Sequence, residues 1–203
     1  MAKQVNTQTF SNQLESWLNG KQNKTLASLI NVFEDKSFAM VFLLLMLLPA
    51  LPIPTGGITH ILELIVALLA LEMIIGLKTI WLPKSWKQRR LGKTMEDKVV
   101  PLILRRVRWF EQRSRPRWKW IFTAPLAERL LGLIVLIFTA FAFVSPPFSG
   151  LDTLPSLGVV ILSLAIILDD ALMLLAGLLV GIVGSALVIG LGAAAFEGIT
   201  RII

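Results

Sequence analysis

His60 and Glu63 stand three residues apart, directly after the run Pro54-Thr-Gly-Gly57. A histidine and a carboxylate at that spacing share one face of a helix. Together they can pass a proton, because imidazole titrates near neutral pH. Glu72 follows nine residues after Glu63, which at about 3.6 residues per turn carries it toward the opposite side of the same helix. A carboxylate in the first turn is also favoured by the helix dipole. Glu63 as a capping residue, with His60 at the interface, is therefore the alternative that the residues leave open. The other acidic groups in or beside apolar sequence are Asp152, Asp169, Asp170 and Glu197. A charge near the centre of a bilayer costs at least about 2.5 to 3.5 kcal/mol, so each such group needs a partner, a boundary or a task.

The elements that must position these groups are apolar. Mean hydropathy is +0.75 and 55% of residues are hydrophobic, above the roughly 45 to 50% of soluble domains. Apolar runs cover residues 38–53, 58–77, 130–144, 154–168 and 171–196, and a spanning helix needs roughly 20 residues. The runs 38–53, 130–144 and 154–168 are short. They must borrow flanking residues, lie in a thinned bilayer, or enter and leave from one side as re-entrant helices.

Residues 35–77 lay over 128–170 at a constant offset of 93, which places Pro54 on Pro147 and Gly57 on Gly150. Each copy opens with an acid-base pair, Asp35-Lys36 and Glu128-Arg129, and runs through apolar sequence into a Pro/Gly break and back. Only eight of the 43 aligned positions are identical, so shared punctuation rather than identity carries the repeat. The fold class expected is an all-α polytopic transmembrane protein with two tandem Pro/Gly-broken helical hairpins. Its segments are 1–36, a cytoplasmic N-terminal part with an amphipathic helix; 37–78, the first hairpin; 79–128, a basic interfacial linker; 129–170, the second hairpin; and 171–203, a Gly-rich C-terminal transmembrane helix.

Broken helices at matching positions of two halves are the sequence pointer to a transporter site. Thr55, Gly56, Gly57, Thr59, His60 and Glu63, facing Ser149, Gly150, Asp152 and Thr153, are thus expected to line a polar cavity on the pseudo-twofold axis. Glu72 is expected either to pair with a basic group at the cytoplasmic boundary or, facing inward, to join the relay. Asp169 and Asp170 are expected to mark a helix-helix turn.

The net charge of +7 is localised: 15 of the 20 Lys and Arg lie between Lys78 and Arg129, and four more precede the first apolar run. An excess of basic residues marks cytoplasmic loops, so the N-terminal segment and the linker belong on one side and the two hairpins run parallel. Within the linker, Thr94 and Asp97 have capping-box spacing. Val99, Leu102, Ile103 and Phe110 make one face, and Arg105, Arg108 and Gln112 another. That helix is expected to lie on the inner leaflet with Arg105, Arg106, Arg108 and Trp109 against anionic lipid, where each basic residue contributes about 1 kcal/mol. A polyanionic substrate or partner is the alternative use of the patch; nucleic acid is not expected. Gly177, Gly181, Gly184, Ser185, Gly190 and Ala194 line the last run with small residues, which lets helices approach closely within the chain or across a homodimer seam.

Several classes are disfavoured. The chain has no cysteine, hence no disulfide, thiolate metal site or cysteine nucleophile. One histidine and one glutamate are too few ligands for a metal, and no cofactor is expected. No nucleotide-binding Gly-Lys-Ser/Thr loop, Gly-x-Ser-x-Gly elbow or paired-histidine zinc motif occurs. The polar start argues against a cleavable signal peptide and leaves no room for a soluble catalytic domain, so an enzyme is not expected.

The runs Leu51-Pro-Ile-Pro-Thr-Gly-Gly-Ile-Thr-His-Ile-Leu-Glu63, Ala70-Leu-Glu-Met-Ile-Ile-Gly76, Ile80-Trp-Leu-Pro-Lys-Ser-Trp86, Arg105-Arg-Val-Arg-Trp-Phe-Glu-Gln-Arg-Ser-Arg-Pro-Arg117 and Glu128-Arg-Leu-Leu-Gly132 resemble the ExoD family of exopolysaccharide-synthesis membrane proteins, from about residue 26 to 195. The resemblance implies a multi-pass protein of the bacterial inner membrane linked to exopolysaccharide production and, in some members, to tolerance of alkaline conditions. It supplies no catalytic or binding residues. Two functions follow as expectations: a small transporter or ion or proton permeation module, or a non-catalytic scaffold for the polysaccharide export machinery.

Overall fold

The computed structural model describes residues 9–20, 23–33, 36–52, 57–81, 90, 92–93, 95–114, 117–118, 120–146 and 149–200. Pro54, Thr55, Gly56, Asp35, Trp86, Thr94 and Pro147, all used above, lie outside them. The described residues are helical, without strands. The helices are α1 (Phe10–Asn19), α2 (Leu26–Phe33), α3 (Ser37–Met46), α4 (Ile58–Ile75), α5 (Val100–Glu111), α6 (Trp120–Thr123), α7 (Pro125–Val144), α8 (Thr153–Leu168) and α9 (Ala171–Thr200), with a π-helical turn at Met95–Val99 leading into α5.

Three helices are long and apolar enough to cross a membrane: α4, α7, and α9 through Ala194. Helix α7 reaches that length by extending the 130–144 run backwards to Pro125, whose missing N–H costs nothing at a helix start. Helix α3 does not extend: ten residues rise about 15 Å, half of the roughly 30 Å hydrocarbon core. Nine of those ten residues are buried, because α3 sits among other helices rather than against lipid.

Each hairpin packs its two helices together, and the hairpins also interlock, α4 on α7 and α3 on α8. Helix α9 then covers α8 along its length. The α8–α9 contact depends on missing side chains. A Cβ on Gly158 would lie 2.6 Å from the Gly181 Cα, and one on Gly184 2.6 Å from the Pro155 nitrogen. Gly177 likewise abuts Leu162, so these three small residues of α9 are occupied within the chain. Without a hydrophobic drive between helices in lipid, such backbone approach is what supplies packing energy.

Both breaks restart in the same way. Gly57 and Gly150 have φ of +89° and +69°, a left-handed region that costs other residues roughly 1 to 2 kcal/mol. The Gly57 carbonyl accepts the His60 N–H at 3.2 Å, and the Gly150 carbonyl accepts the Thr153 N–H at 3.3 Å. The far ends match too: α4 stops at Gly76 (φ +94°) and α8 at Asp169 (φ +53°).

The N-terminal part holds an element that the sequence reading passed over as polar. In α1, Phe10, Leu14 and Trp17 are buried at helical spacing. Phe10 packs on Phe33 of α2 with ring centroids 4.3 Å apart, and the Trp17 indole donates to Ser28 Oγ at 3.0 Å. Helix α1 lies on α5. The buried stripe of α5 is Val100, Ile103 and Val107, rotated from the expected one, and Leu102 is 44% exposed. The stripe turned toward α1 because another amphipathic helix, rather than the bilayer alone, was available to cover it.

Candidate functional site

The first break feeds directly into a buried ionisable pair. Gly57 sets the start of α4, and two turns later no charge would ordinarily be tolerated. Yet Glu63 is completely buried, with its Oε2 2.7 Å from the His60 Nδ1. Its other oxygen, Oε1, has no hydrogen-bond partner among the described residues. A cap would show the carboxylate on the free N–H groups of the first turn; this one turns to the imidazole instead. The His60 side chain is 23% exposed and meets Phe143 of α7 edge-on, with ring centroids 5.6 Å apart. The pair thus spans from a partly open edge at the break to an oxygen enclosed among α4's neighbours. Asp152, just before α8, is near enough for its charge to act on Glu63.

The remaining predicted residues divide. Thr59 is buried on α4 beside the pair. Gly57 and Gly150 shape the two turns and are not enclosed. Ser149 is exposed and spends its hydroxyl locally, donating to the Pro146 carbonyl at 2.7 Å and accepting from the Leu151 N–H at 3.2 Å. Thr55 and Gly56 are outside the described residues. Glu72 is separate: its Oε2 accepts the Trp81 N–H at 2.9 Å, tying the end of α4 to the following chain at the other end of the bundle.

That other end is closed by ion pairs running between the hairpins. Lys36, before α3, donates to the Ile167 carbonyl at 2.7 Å and to Asp169 Oδ2 at 2.9 Å. Lys78, after α4, pairs with Glu128 of α7 at 2.6 Å. The Arg129 guanidinium lies over Gly76, 3.1 Å from where its Cβ would be. Cations at helix C-termini complement the partial negative charge there. Below these groups is a cavity of about 330 Å³ with Phe38, Met73, Leu131 and Ile166 in its wall. Asp169 and Asp170 do form a helix-helix turn, but Asp170 is 4% exposed rather than solvated. Its carboxylate takes the Ser114 hydroxyl at 2.7 Å and the Leu172 N–H at 3.0 Å, so the linker supplies a partner that adjacency alone would not suggest.

On α5, Arg105 and Arg106 are exposed and Trp109 is 48% exposed, with Arg113 stacked over its ring at 4.0 Å. Arg108 pairs with Glu15 of α1 at 2.6 Å. Ser11 donates its N–H to Glu111 at 3.0 Å, so α1 and α5 are joined by polar contacts as well as by burial.

Two buried groups escaped the sequence reading altogether: Thr139 on α7 and Ser156 on α8, both fully buried and both with hydroxyls lacking a partner among the described residues. An isolated hydroxyl in an apolar run carries no sequence signal. The one available pointer was Ser156's place in the overlay, at the position matching Glu63.

The family model described as "Exopolysaccharide synthesis, ExoD" matches residues 10–190. The chain belongs to the ExoD family. The matched span begins at the first residue of α1, so the N-terminal helix belongs to the shared unit. The chain is 26% identical to Protein ExoD of Rhizobium meliloti over 159 residues, 75% of this chain and 64% of that one. It is also 26% identical to an uncharacterized protein of Synechocystis sp., slr1875, over 173 residues, 85% of this chain and 81% of the other. No solved structure matches it. Membership of the ExoD family links the chain to exopolysaccharide synthesis.

Proposed function

We propose that this ExoD-family chain is a multi-pass protein of the bacterial inner membrane that moves protons or other small ions, and thereby supports exopolysaccharide synthesis or export. One observation carries the reading: a carboxylate completely enclosed in an apolar helix bundle, bonded on one side to a partly exposed histidine at a helix break. Burying a carboxylate is expensive unless it is paired or serves a function. A His-Glu pair supplies a group that takes up a proton at the break end and another that holds it inside. No covalent chemistry is called for, so the protein acts without being an enzyme.

The architecture supports the reading. Matching left-handed residues at both ends of α4 and α8, and the reciprocal packing of α3 on α8 and α4 on α7, are what two parallel copies about an axis along the membrane normal would produce. In that arrangement the first hairpin runs in through the short, buried α3 and the turns after it and back through α4, and the basic ends of both hairpins face the cytoplasm. Two interlocking halves, each with a broken segment, are suited to rocking against each other around a central site.

The test is proton and sodium flux into proteoliposomes of the purified protein under an imposed pH gradient, wild type against Glu63→Gln. Flux in the wild type and none in a normally folded variant supports the proposal; an absence of flux in the wild type, or equal flux in both, ends it. A second reading has its own observation, the exposed Arg105, Arg106 and Trp109 on α5, which suit anionic lipid or an acidic partner. If the protein is a scaffold for export machinery, Arg105→Ala with Arg106→Ala will reduce exopolysaccharide output while Glu63→Gln does not.

A further inference from the structure

Hydroxyl groups in this bundle fall into two kinds. Ser145, Ser163 and Ser185 bond back to carbonyls four residues earlier on their own helices, Phe141, Val159 and Gly181, at 2.9, 2.7 and 2.8 Å. This is the ordinary way for a hydroxyl in an apolar helix to be satisfied. Thr139 and Ser156 are just as buried and do not do so. Leaving a buried hydroxyl unbonded costs about 1 to 3 kcal/mol. A third unbonded oxygen is Glu63 Oε1. Ser37, the remaining buried hydroxyl without a bond among the described residues, begins α3 at the opposite end.

Packing brings these three oxygens to one level of the bundle. His60 meets Phe143, and Gly132 abuts Ala70 and Ile74, so α4 and α7 are antiparallel in a register that sets Thr139 level with Glu63. Phe138, the neighbour of Thr139, reaches Gly181 at the point where Gly181 abuts Gly158 of α8. Ser156, two residues before Gly158 toward the break, is therefore level with Thr139. The oxygens belong to α4, α7 and α8, from both hairpins.

We infer that Glu63, Thr139 and Ser156 form a binding site for a dehydrated alkali cation of about the size of sodium. The inference rests on the ion-permeation reading above and names its second ion. The donors are all oxygens, which select hard cations. A single carboxylate in the site balances one charge, whereas calcium sites draw on about 6 to 8 oxygens including several carboxylates. Among the described residues, the charged or titratable groups acting on Glu63 are His60 on its own helix and Asp152 before α8; the latter adds negative potential favouring a cation.

The experiment is equilibrium binding of radiolabelled sodium to the purified full-length chain in detergent, with wild type, Thr139→Val, Ser156→Ala and Glu63→Gln measured across pH and with lithium and potassium as competitors. Saturable binding of sodium is expected. Thr139→Val and Ser156→Ala should each weaken it about tenfold, equivalent to about 1.4 kcal/mol; Glu63→Gln should abolish it, and Thr139→Ser, which keeps the hydroxyl, should bind as wild type does. Absence of saturable alkali-cation binding to folded wild type overturns the inference, as does unchanged affinity in both hydroxyl variants. If proton flux through Glu63 persists in that case, the site carries protons alone and the broader proposal survives. If flux is absent while the cation binds as described, the site stands and the permeation reading fails.

Discussion

The ends of the two hairpins at their breaks share a backbone and differ in chemistry. Both restart at a left-handed glycine whose carbonyl accepts the N–H three residues on. Where the first hairpin has His60 and Glu63, the second has Thr153 and Ser156. Glu63 and Ser156 are both fully buried, and each leaves an oxygen unbonded. The fold thus keeps two equivalent polar positions and gives an ionisable group to only one. A pair of enclosed carboxylates would repel, and each would carry its own desolvation cost, so asymmetry is the economical way to place one charge inside the bundle.

The largest effect should come from exchanging chemistry between the halves. Glu63→Ser, which copies the second hairpin into the first, is expected to remove proton flux entirely while size-exclusion profile and helicity stay as in wild type. The converse, Ser156→Glu in that background, tests whether the two positions are interchangeable: partial return of flux sharpens the comparison, and loss of the folded protein would show that only the first hairpin accommodates a carboxylate.

Next is packing. The second hairpin has α9 against it, and Gly158→Ala drives a Cβ into the Gly181 backbone, an overpacking expected to cost about 1 to 3 kcal/mol. Gly132→Ala on the α4–α7 contact, where the nearest atoms are 3.2 Å away, should cost less. Denaturant midpoints in detergent micelles will rank them. Gly57→Ala and Gly150→Ala should each cost roughly 1 kcal/mol through the left-handed backbone, and by about equal amounts, because neither site has an atom within 4 Å of the added methyl. Unequal losses would break the equivalence of the two turns.

The smallest change belongs to Lys78→Ala. Its side chain is 68% exposed, and an exposed pair contributes about 0 to 1 kcal/mol, so the thermal midpoint should hardly move. Lys36→Met should matter more, since Lys36 is half as exposed and serves both a helix-terminal carbonyl and Asp169.

The sequence alone determined the all-helical class, the starts of α4 and α9, the end of α7, the two breaks, and the concentration of basic residues in the linker. Apolar length and Pro/Gly punctuation are local properties, and the need to satisfy backbone groups inside the segment makes helices follow from them. The pairing of His60 with Glu63 was legible for the same reason, as residues one turn apart meet on any helix. Only the tertiary structure decided that α3 stops after ten residues and is enclosed, that α5 turns its stripe to α1, and that Asp170 is buried on Ser114. It also decided which hydroxyls bond to their own helices and which are left at the level of Glu63. Those outcomes depend on which face each helix offers its neighbours, and faces are chosen by the joint packing of segments that are distant in the chain.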